Sequence, residues 1–202
     1  MVSIINVGSG NFNSVANIVK KLGHKVELVS DYDKVSNSKI IILPGVGRFD
    51  IFMDKIRNTK IDKAILNAIS NNSKVLGICV GMHCLLEKSE EGNCEGLKII
   101  QGSVKKFQIS NEQIIKIPHM GWNKVNLIND KENLIDNNQN CKFYFIHSYY
   151  AEPLKNENIL GVTNYGITFA SIIKKEKIYG VQFHPEKSHY YGKMLMENFL
   201  NA

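Results

Sequence analysis

Nowhere does the sequence hold an apolar run approaching the ~18 residues of a membrane span, so no transmembrane helix is expected. Its start, Met1-Val2-Ser3-Ile4, lacks the basic opening and small-residue cleavage site of a secretory signal, and the expected compartment is the cytoplasm. Cysteine is scarce: Cys79, Cys84, Cys94 and Cys141 do not make a disulfide framework in a chain of 202 residues. They do not make a metal site either, because Cys79 and His83 stand four apart but no second pair follows at ligand spacing. The net charge of +6 lies in scattered lysines, with no arginine-rich stripe and no interleaved aromatics. It reads as a solvated surface with room for a basic docking face, and neither nucleic acid nor membrane is expected as a partner. Repeats and low-complexity linkers are missing as well. With 44% hydrophobic and 22% charged residues, the chain reads as one globular domain over 1–202.

What is present is an alternation. Residues 2–7 form a short apolar strand, Gly8-Ser9-Gly10-Asn11 a turn, and Val15, Ile18, Val19 and Leu22 a helical face that Gly23 ends. Strands follow over 25–29 and 39–43, then helical spacing over 51–70 with an interruption at Asn58-Thr59. Short strands alternating with helices predict an α/β fold: a doubly wound, mostly parallel sheet whose ligands bind beyond the strand C-termini. The glycines after the first strand, with Asp31 about 20 residues on, invite a dinucleotide reading. It fails at the third glycine, where Asn13 stands, so the turn is read as a tight one whose backbone serves the site. Beyond Gly96 the texture changes to β-rich segments over 102–109, 113–117, 122–128, 143–150, 158–164, 168–174 and 178–183, which predict an antiparallel extension. Lys174-Lys175-Glu176-Lys177 reads as a hairpin turn, and 191–200 as a closing helix with Met194, Leu195 and Phe199 toward the core.

Residues 74–87, K-V-L-G-I-C-V-G-M-H-C-L-L-E, are the stretch around which the rest is organised. Val75, Leu76 and Ile78 make a strand; Met82, Leu85 and Leu86 recur at helical spacing; Gly77 and Gly81 flank Cys79 at two residues on either side. That is the cysteine form of a nucleophile elbow, which raises the sulfur above the sheet edge and sets it at a helix N-terminus. Taken alone, the same pattern also fits a buried cysteine with two packing glycines.

Two other strand ends bear on the choice. Pro44-Gly45-Val46-Gly47 either breaks the third strand or lets the N–H of Val46 join that of Val80 at one oxygen, as an oxyanion hole. His184-Pro185-Glu186 closes the last strand, and the proline holds His184 extended, so imidazole and carboxylate project to the same side. Nucleophile, base and orienting acid are then all available.

The segments G-I-C-V-G-M, P-G-V-G and H-P-E-K-S, with G-S-G-N-F-N-S-V, P-H-M-G-W-N at 118–123 and F-I-H-S-Y-Y at 145–150, resemble the class I, triad-type glutamine amidotransferases. Within that family the likeness is to the glutaminase subunits of imidazole glycerol phosphate synthases, from Val2 to Phe199 in order, P-H-M-G-W-N being the most specific segment. The resemblance implies a flavodoxin-like fold, Cys79 as nucleophile, His184 as base, Glu186 as its orienter, and Val46 and Val80 as oxyanion donors. It also implies Gly45, His83, Glu91, Ser148 and Tyr149 around the substrate glutamine, with no cofactor and no metal. Ammonia would pass to a separate cyclase-type (β/α)8 barrel subunit in a heterodimer, docked over Met120, Trp122, Tyr144 and Lys187. An isolated subunit held out of alignment until docking would be nearly idle.

Two alternatives stay open on the sequence: a paralogue supplying a sugar-modifying amidotransferase through a related barrel, and an inactive scaffolding subunit. His83 departs from the family pattern, which has Gln there. With an ordinary imidazole pKa near 6.5, its binding of the amino-acid end of glutamine would weaken as pH falls.

Overall fold

In the computed structural model, residues 1–108, 116–128, 134–135 and 140–201 are described. The first half is built as its periodicity predicts. Val2–Ile5 (β1) is buried along its whole length, Phe12–Lys21 (α1) turns Val15, Ala16 and Val19 inward, and Gly23 ends that helix at φ +86°. Val26–Val29 (β2) follows, and then a short helix that periodicity does not reveal, Tyr32–Ser36 (α2). Asp31 caps α2 by accepting from the Lys34 N–H at 3.1 Å, so the acid considered for a ribose is a helix cap instead. Ile40–Gly45 (β3) leads to Phe49–Asn58 (α3) and Ile61–Ser70 (α4), and the break between these helices turns on Lys60 at φ 59°. Lys74–Cys79 (β4) runs into Val80–His83 (α5), a helix of one turn only. Leu85 and Leu86, at helical spacing in the sequence, lie beyond its end and are buried there.

The second half contains Lys88–Ser89 (β5), Cys94–Glu95 (β6), Gly102–Lys106 (β7), His119–Lys124 (β8), Asn126–Leu127 (β9), Lys142–His147 (β10) and Tyr149–Pro153 (β11). Ile159–Tyr165 (β12), Ile167–Lys175 (β13), Ile178–Val181 (β14) and His189–Asn201 (α6) complete it. Glu176, at φ 53°, turns the β13–β14 hairpin, as its lysine-rich sequence predicts. In α6 Leu195 and Phe199 are buried and Met194 is half-buried against the core. The expected strand over 113–117 is not borne out where it can be seen: 113–115 lie outside the described residues, and Lys116 and Ile117 are in no strand. Ile109 lies outside them too.

Twelve strands of the described residues join in the order β2-β1-β3-β4-β14-β13-β11-β7-β5-β6, with β12 attached to β13 and β9 to β12. The pairs β1–β2, β1–β3, β3–β4 and β4–β14 are parallel; from β14 outward most are antiparallel. The expected mostly parallel, antiparallel-extended sheet is there, with one difference. β8 and β10 pair with each other as a separate two-stranded sheet, because the 143–150 segment breaks at Ser148 and only its second half, β11, rejoins the large sheet. The strands β1, β3 and β4 are buried along nearly their whole length and mostly apolar, as a parallel sheet covered on both faces requires. Among the described residues no helix is long and apolar enough to cross a membrane.

Candidate active site

Cys79 ends β4 with φ 54° and ψ −111°, a backbone that side-chain-bearing residues rarely adopt. The strand and α5 can meet at that angle only because three glycines lie beneath the cysteine. A Cβ on Gly81 would fall 1.8 Å from the Leu43 carbonyl oxygen, one on Gly77 2.4 Å from that of Gly81, and one on Gly45 2.5 Å from the Gly81 nitrogen. Gly45 stands level with Cys79 across the β3–β4 pair. It packs at the base of the elbow, and its side of the strand end is not among the residues that line the cavity above Cys79.

β14 runs parallel to β4, with Val181 beside Ile78, and so delivers its C-terminal continuation to the same edge as Cys79. There His184 Nδ1 meets Glu186 Oε1 at 2.8 Å, both side chains almost fully buried. Burial disfavours the charged imidazole, but the side-chain hydrogen bond and charge of Cys79, then those of Glu186, outweigh it and raise the His184 pKa. The three groups read as a triad from the sequence are brought together.

Three further side chains complete this arrangement, and sequence reading had not singled them out for it. Asn11 Nδ2 donates to Glu186 Oε1 at 3.2 Å, from the turn after β1. Gln182, fully buried, has its amide nitrogen 4.0 Å from the Cys79 sulfur and its Oε1 2.7 Å from His83 Nε2. Ser188 bonds to the backbone of both His184 and Tyr144. Gln182 and Ser188 lie within a few residues of His184, and that proximity was the available signal; Asn11 is 175 residues from its partner and left none.

A cavity of about 650 Å³ opens over Cys79 and His184. Val46, Val80, His83, Glu91, Ser148 and Tyr149 line it, along with Lys187 at its rim, so all but Gly45 of the expected oxyanion and substrate residues meet here. The Val46 carbonyl accepts from Ser9 Oγ at 2.9 Å, tying this loop to the turn after β1. Glu91 accepts from the Phe49 N–H at 2.9 Å at the start of α3, and burial raises its pKa against that bond. His83 differs from expectation. It is 2% exposed, Nδ1 has no hydrogen-bond partner among the described residues, and burial pushes its pKa down to about 4, so it is neutral at physiological pH.

A pair of histidines underlies the cavity wall. His147 Nδ1 faces the Tyr149 carbonyl at 2.8 Å and must donate, which leaves Nε2 to accept from His119 Nδ1 at 2.8 Å. His119 Nε2 then accepts from Asn123 Nδ2 at 3.2 Å, and its ring stacks against Phe145 and Tyr165. Burial lowers the pKa of both imidazoles, in accord with this neutral chain.

The opposite face of the two-stranded β8–β10 sheet is apolar and open. Met120 and Trp122 are 58% and 48% exposed, and they pair in register with Ile146 and Tyr144. Lys187 Nζ sits 5.5 Å over the Tyr144 ring, and the Trp122 ring stacks on His189 at 5.4 Å. Trp122 and Tyr144 are thus surface residues beside the cavity rather than core aromatics.

Known proteins match along nearly the whole chain. A family model described as glutamine amidotransferase class-I covers residues 3–202. The chain is 44% identical over 202 residues to imidazole glycerol phosphate synthase subunit HisH 2 of Methanococcus maripaludis, covering 99% of this chain and 98% of that one. It is 39% identical over 201 residues to the HisH subunit of Leptospira interrogans, 98% of each chain being covered. A crystal structure of a glutamine amidotransferase superposes with a TM-score of 0.77 at 18% identity, covering 99% of this chain and 97% of the other. PurLQS from Thermotoga maritima gives a TM-score of 0.77 at 15% identity over the same shares, a likeness of fold. Sequence and fold agree, and the chain belongs to the class I glutamine amidotransferases and, within them, to the HisH subunits of imidazole glycerol phosphate synthase.

Proposed function

We propose that Cys79, His184 and Glu186 are the triad with which this chain hydrolyses glutamine to glutamate and ammonia for histidine biosynthesis. The observation that carries the reading is a thiol on a left-handed elbow, hydrogen-bonded to an imidazole whose other nitrogen meets a buried carboxylate at 2.8 Å. The Cys79 sulfur, its proton taken up by His184, attacks the side-chain amide carbon of glutamine and forms a C–S bond. The oxyanion is held by the N–H groups of Val46 and Val80, each such donor being worth about 3 kcal/mol of transition-state stabilisation. Collapse breaks the C–N bond as His184 protonates the leaving nitrogen, and ammonia departs. Water then gives a proton to His184 and attacks the thioester; the C–S bond breaks and glutamate leaves. Glu186 holds the imidazole in the required tautomer throughout.

Glu91, Ser148 and Tyr149 bind the amino-acid end of glutamine. The partner is a separate cyclase-type subunit with a (β/α)8 barrel, docked on Met120, Trp122, Tyr144 and Lys187, which receives the ammonia. Similarity to HisH subunits over 98–99% of this chain favours that partner over the sugar-modifying paralogue. The test is Cys79→Ala in the complex: glutamate release and glutamine-driven synthesis vanish while synthesis from ammonium salts persists. Glutaminase turnover retained in that variant would overturn the assignment.

A further inference from the structure

The two-stranded β8–β10 sheet has edges as well as faces. A two-stranded ribbon leaves the outer edge of each strand with unpaired N–H and C=O groups, which a protein must cover or solvate. At Tyr144, in the middle of β10, both backbone groups point away from β8, and the residues that cover them come from the segment bearing the catalytic base. The His184 N–H donates to the Tyr144 carbonyl at 2.9 Å. The Tyr144 N–H donates to Ser188 Oγ at 3.0 Å, and Ser188 Oγ–H donates to the His184 carbonyl at 2.6 Å. One hydroxyl, 1% exposed, thus uses its donor and its acceptor to close a ring of three hydrogen bonds.

Two further residues of the same segment touch the exposed face of the β8–β10 pair. Lys187 covers the Tyr144 ring and His189 stacks on Trp122. Base, orienting acid, clamp and two surface contacts therefore lie on one short segment, 184–189, bound to the apolar face by backbone at one point and by rings at two.

From this geometry we infer that Ser188 is a positioning residue: it registers the main chain of His184 to β10, so that a partner pressing on Trp122 and Tyr144 sets the base relative to Cys79. The inference rests on the triad reading above and adds to it a physical route from the docking face to the imidazole. Glu186 fixes the ring of His184; Ser188 fixes its backbone. Without the hydroxyl, the Tyr144 N–H and one acceptor site on the His184 carbonyl lose their partner, and the loop holding the base is freed to shift.

The test compares wild type, Ser188→Ala and Ser188→Thr, each assembled with the cyclase subunit. Wild-type glutamate release is established first, and its loss in Cys79→Ala; failure there sinks the triad reading and not the clamp. The clamp predicts that Ser188→Ala lowers glutaminase kcat by about 10- to 100-fold, the penalty of a sub-ångström to ångström misplacement, with glutamine KM within about twofold of wild type. Threonine, which keeps donor and acceptor, should recover to within about threefold of wild type. The pH profile of Cys79 alkylation by iodoacetamide should shift in Ser188→Ala, since it reports how His184 sits against the sulfur, and the rate gain on adding the partner should shrink. A folded Ser188→Ala with wild-type kcat, or with lowered kcat but an unaltered alkylation profile and partner response, would overturn the assignment. If the alanine variant does not fold, Ser188→Cys, a weak donor and acceptor, replaces it: cysteine impaired and threonine active supports the clamp, and equal rates for the two overturn it.

Discussion

His83 donates its Nε2 proton to Gln182 Oε1 across 2.7 Å of buried space, and this one bond decides what His83 can do. With Oε1 as acceptor, Nε2 carries the proton and Nδ1 is bare. The imidazole is neutral, and burial holds it so down to about pH 4. Gln182 in turn aims its amide nitrogen at the Cys79 sulfur, 4.0 Å away. The residue that departs from the family pattern is thus wired to the nucleophile's surroundings.

The expected weakening of glutamine binding near pH 6.5 should therefore not come from His83. Between about pH 6 and 8, His83→Gln should change glutamine KM by a constant factor, with profiles parallel to wild type, because a neutral group does not titrate in that window. The measurement is KM against pH for both proteins in the complex. A rise in wild-type KM below about pH 6.5 that His83→Gln abolishes would restore the titrating role.

Gln182→Met should destabilise the fold by about 1–3 kcal/mol, since it leaves His83 Nε2–H buried without an acceptor. Thermal denaturation reads this directly. Combined with His83→Leu, which removes the stranded donor, the loss should be partly recovered; a strictly additive pair would contradict the coupling.

Asn11→Ala removes a side-chain donor to Glu186 Oε1, which His184 Nδ1 also meets, and Glu186 Oε2 already has no partner among the described residues. A hydrogen bond to a charged group is worth roughly 1.5–3 kcal/mol, so kcat should fall by about tenfold or more. Steady-state kinetics with saturating glutamine test this; unchanged kcat would leave Asn11 as a cavity wall alone.

Acid should destabilise the protein earlier than its carboxylates do. His83, His119 and His147 are buried with pKa values pushed below 6.5, the first two to about 4. Above pH 6.5 neither folded nor unfolded chain protonates them. As pH falls from there toward 4, the unfolded chain gains protons that the native state refuses, so stability drops. Each fully refused proton steepens the slope by about 1.4 kcal/mol per pH unit. His184 has the opposite sign: its raised pKa adds stability that is whole below pH 6.5 and is lost progressively as pH climbs from there to about 10, so it stays constant as pH falls through this window. The melting temperature of His147→Gln should fall less steeply than wild type between about pH 7 and 5.

Trp122→Ala should weaken docking by about 2 kcal/mol or more, roughly 30-fold in Kd, while leaving the melting temperature of the isolated chain nearly unchanged because the ring is half exposed. Titration of the cyclase subunit into each variant measures it. An equally large loss of intrinsic stability would assign Trp122 to the fold instead.

The elbow at Cys79, the His184-Pro185-Glu186 pair and the order of strands and helices were legible in the sequence, because each rests on local physics. Side-chain periodicity follows from the helix and strand repeat, glycine two residues either side of a thiol permits the sharp turn, and proline restricts the residue before it. Those constraints operate over a few residues and survive without the rest of the chain. What only the tertiary structure decided is which distant groups meet. Asn11 reaches Glu186 across 175 residues and Gln182 reaches His83 across 99, and no local pattern encodes either bond. That Gly45 packs directly against Gly81, with no room for a side chain, is likewise visible only once β3, β4 and α5 are assembled. The segment over 143–150 reads as one strand, yet it divides between two sheets, since strand propensity does not choose a pairing partner. Above all, the charge state of His83 follows from burial, and burial is a property of the assembled core that surrounds the residue, not of the residue or its neighbours in sequence.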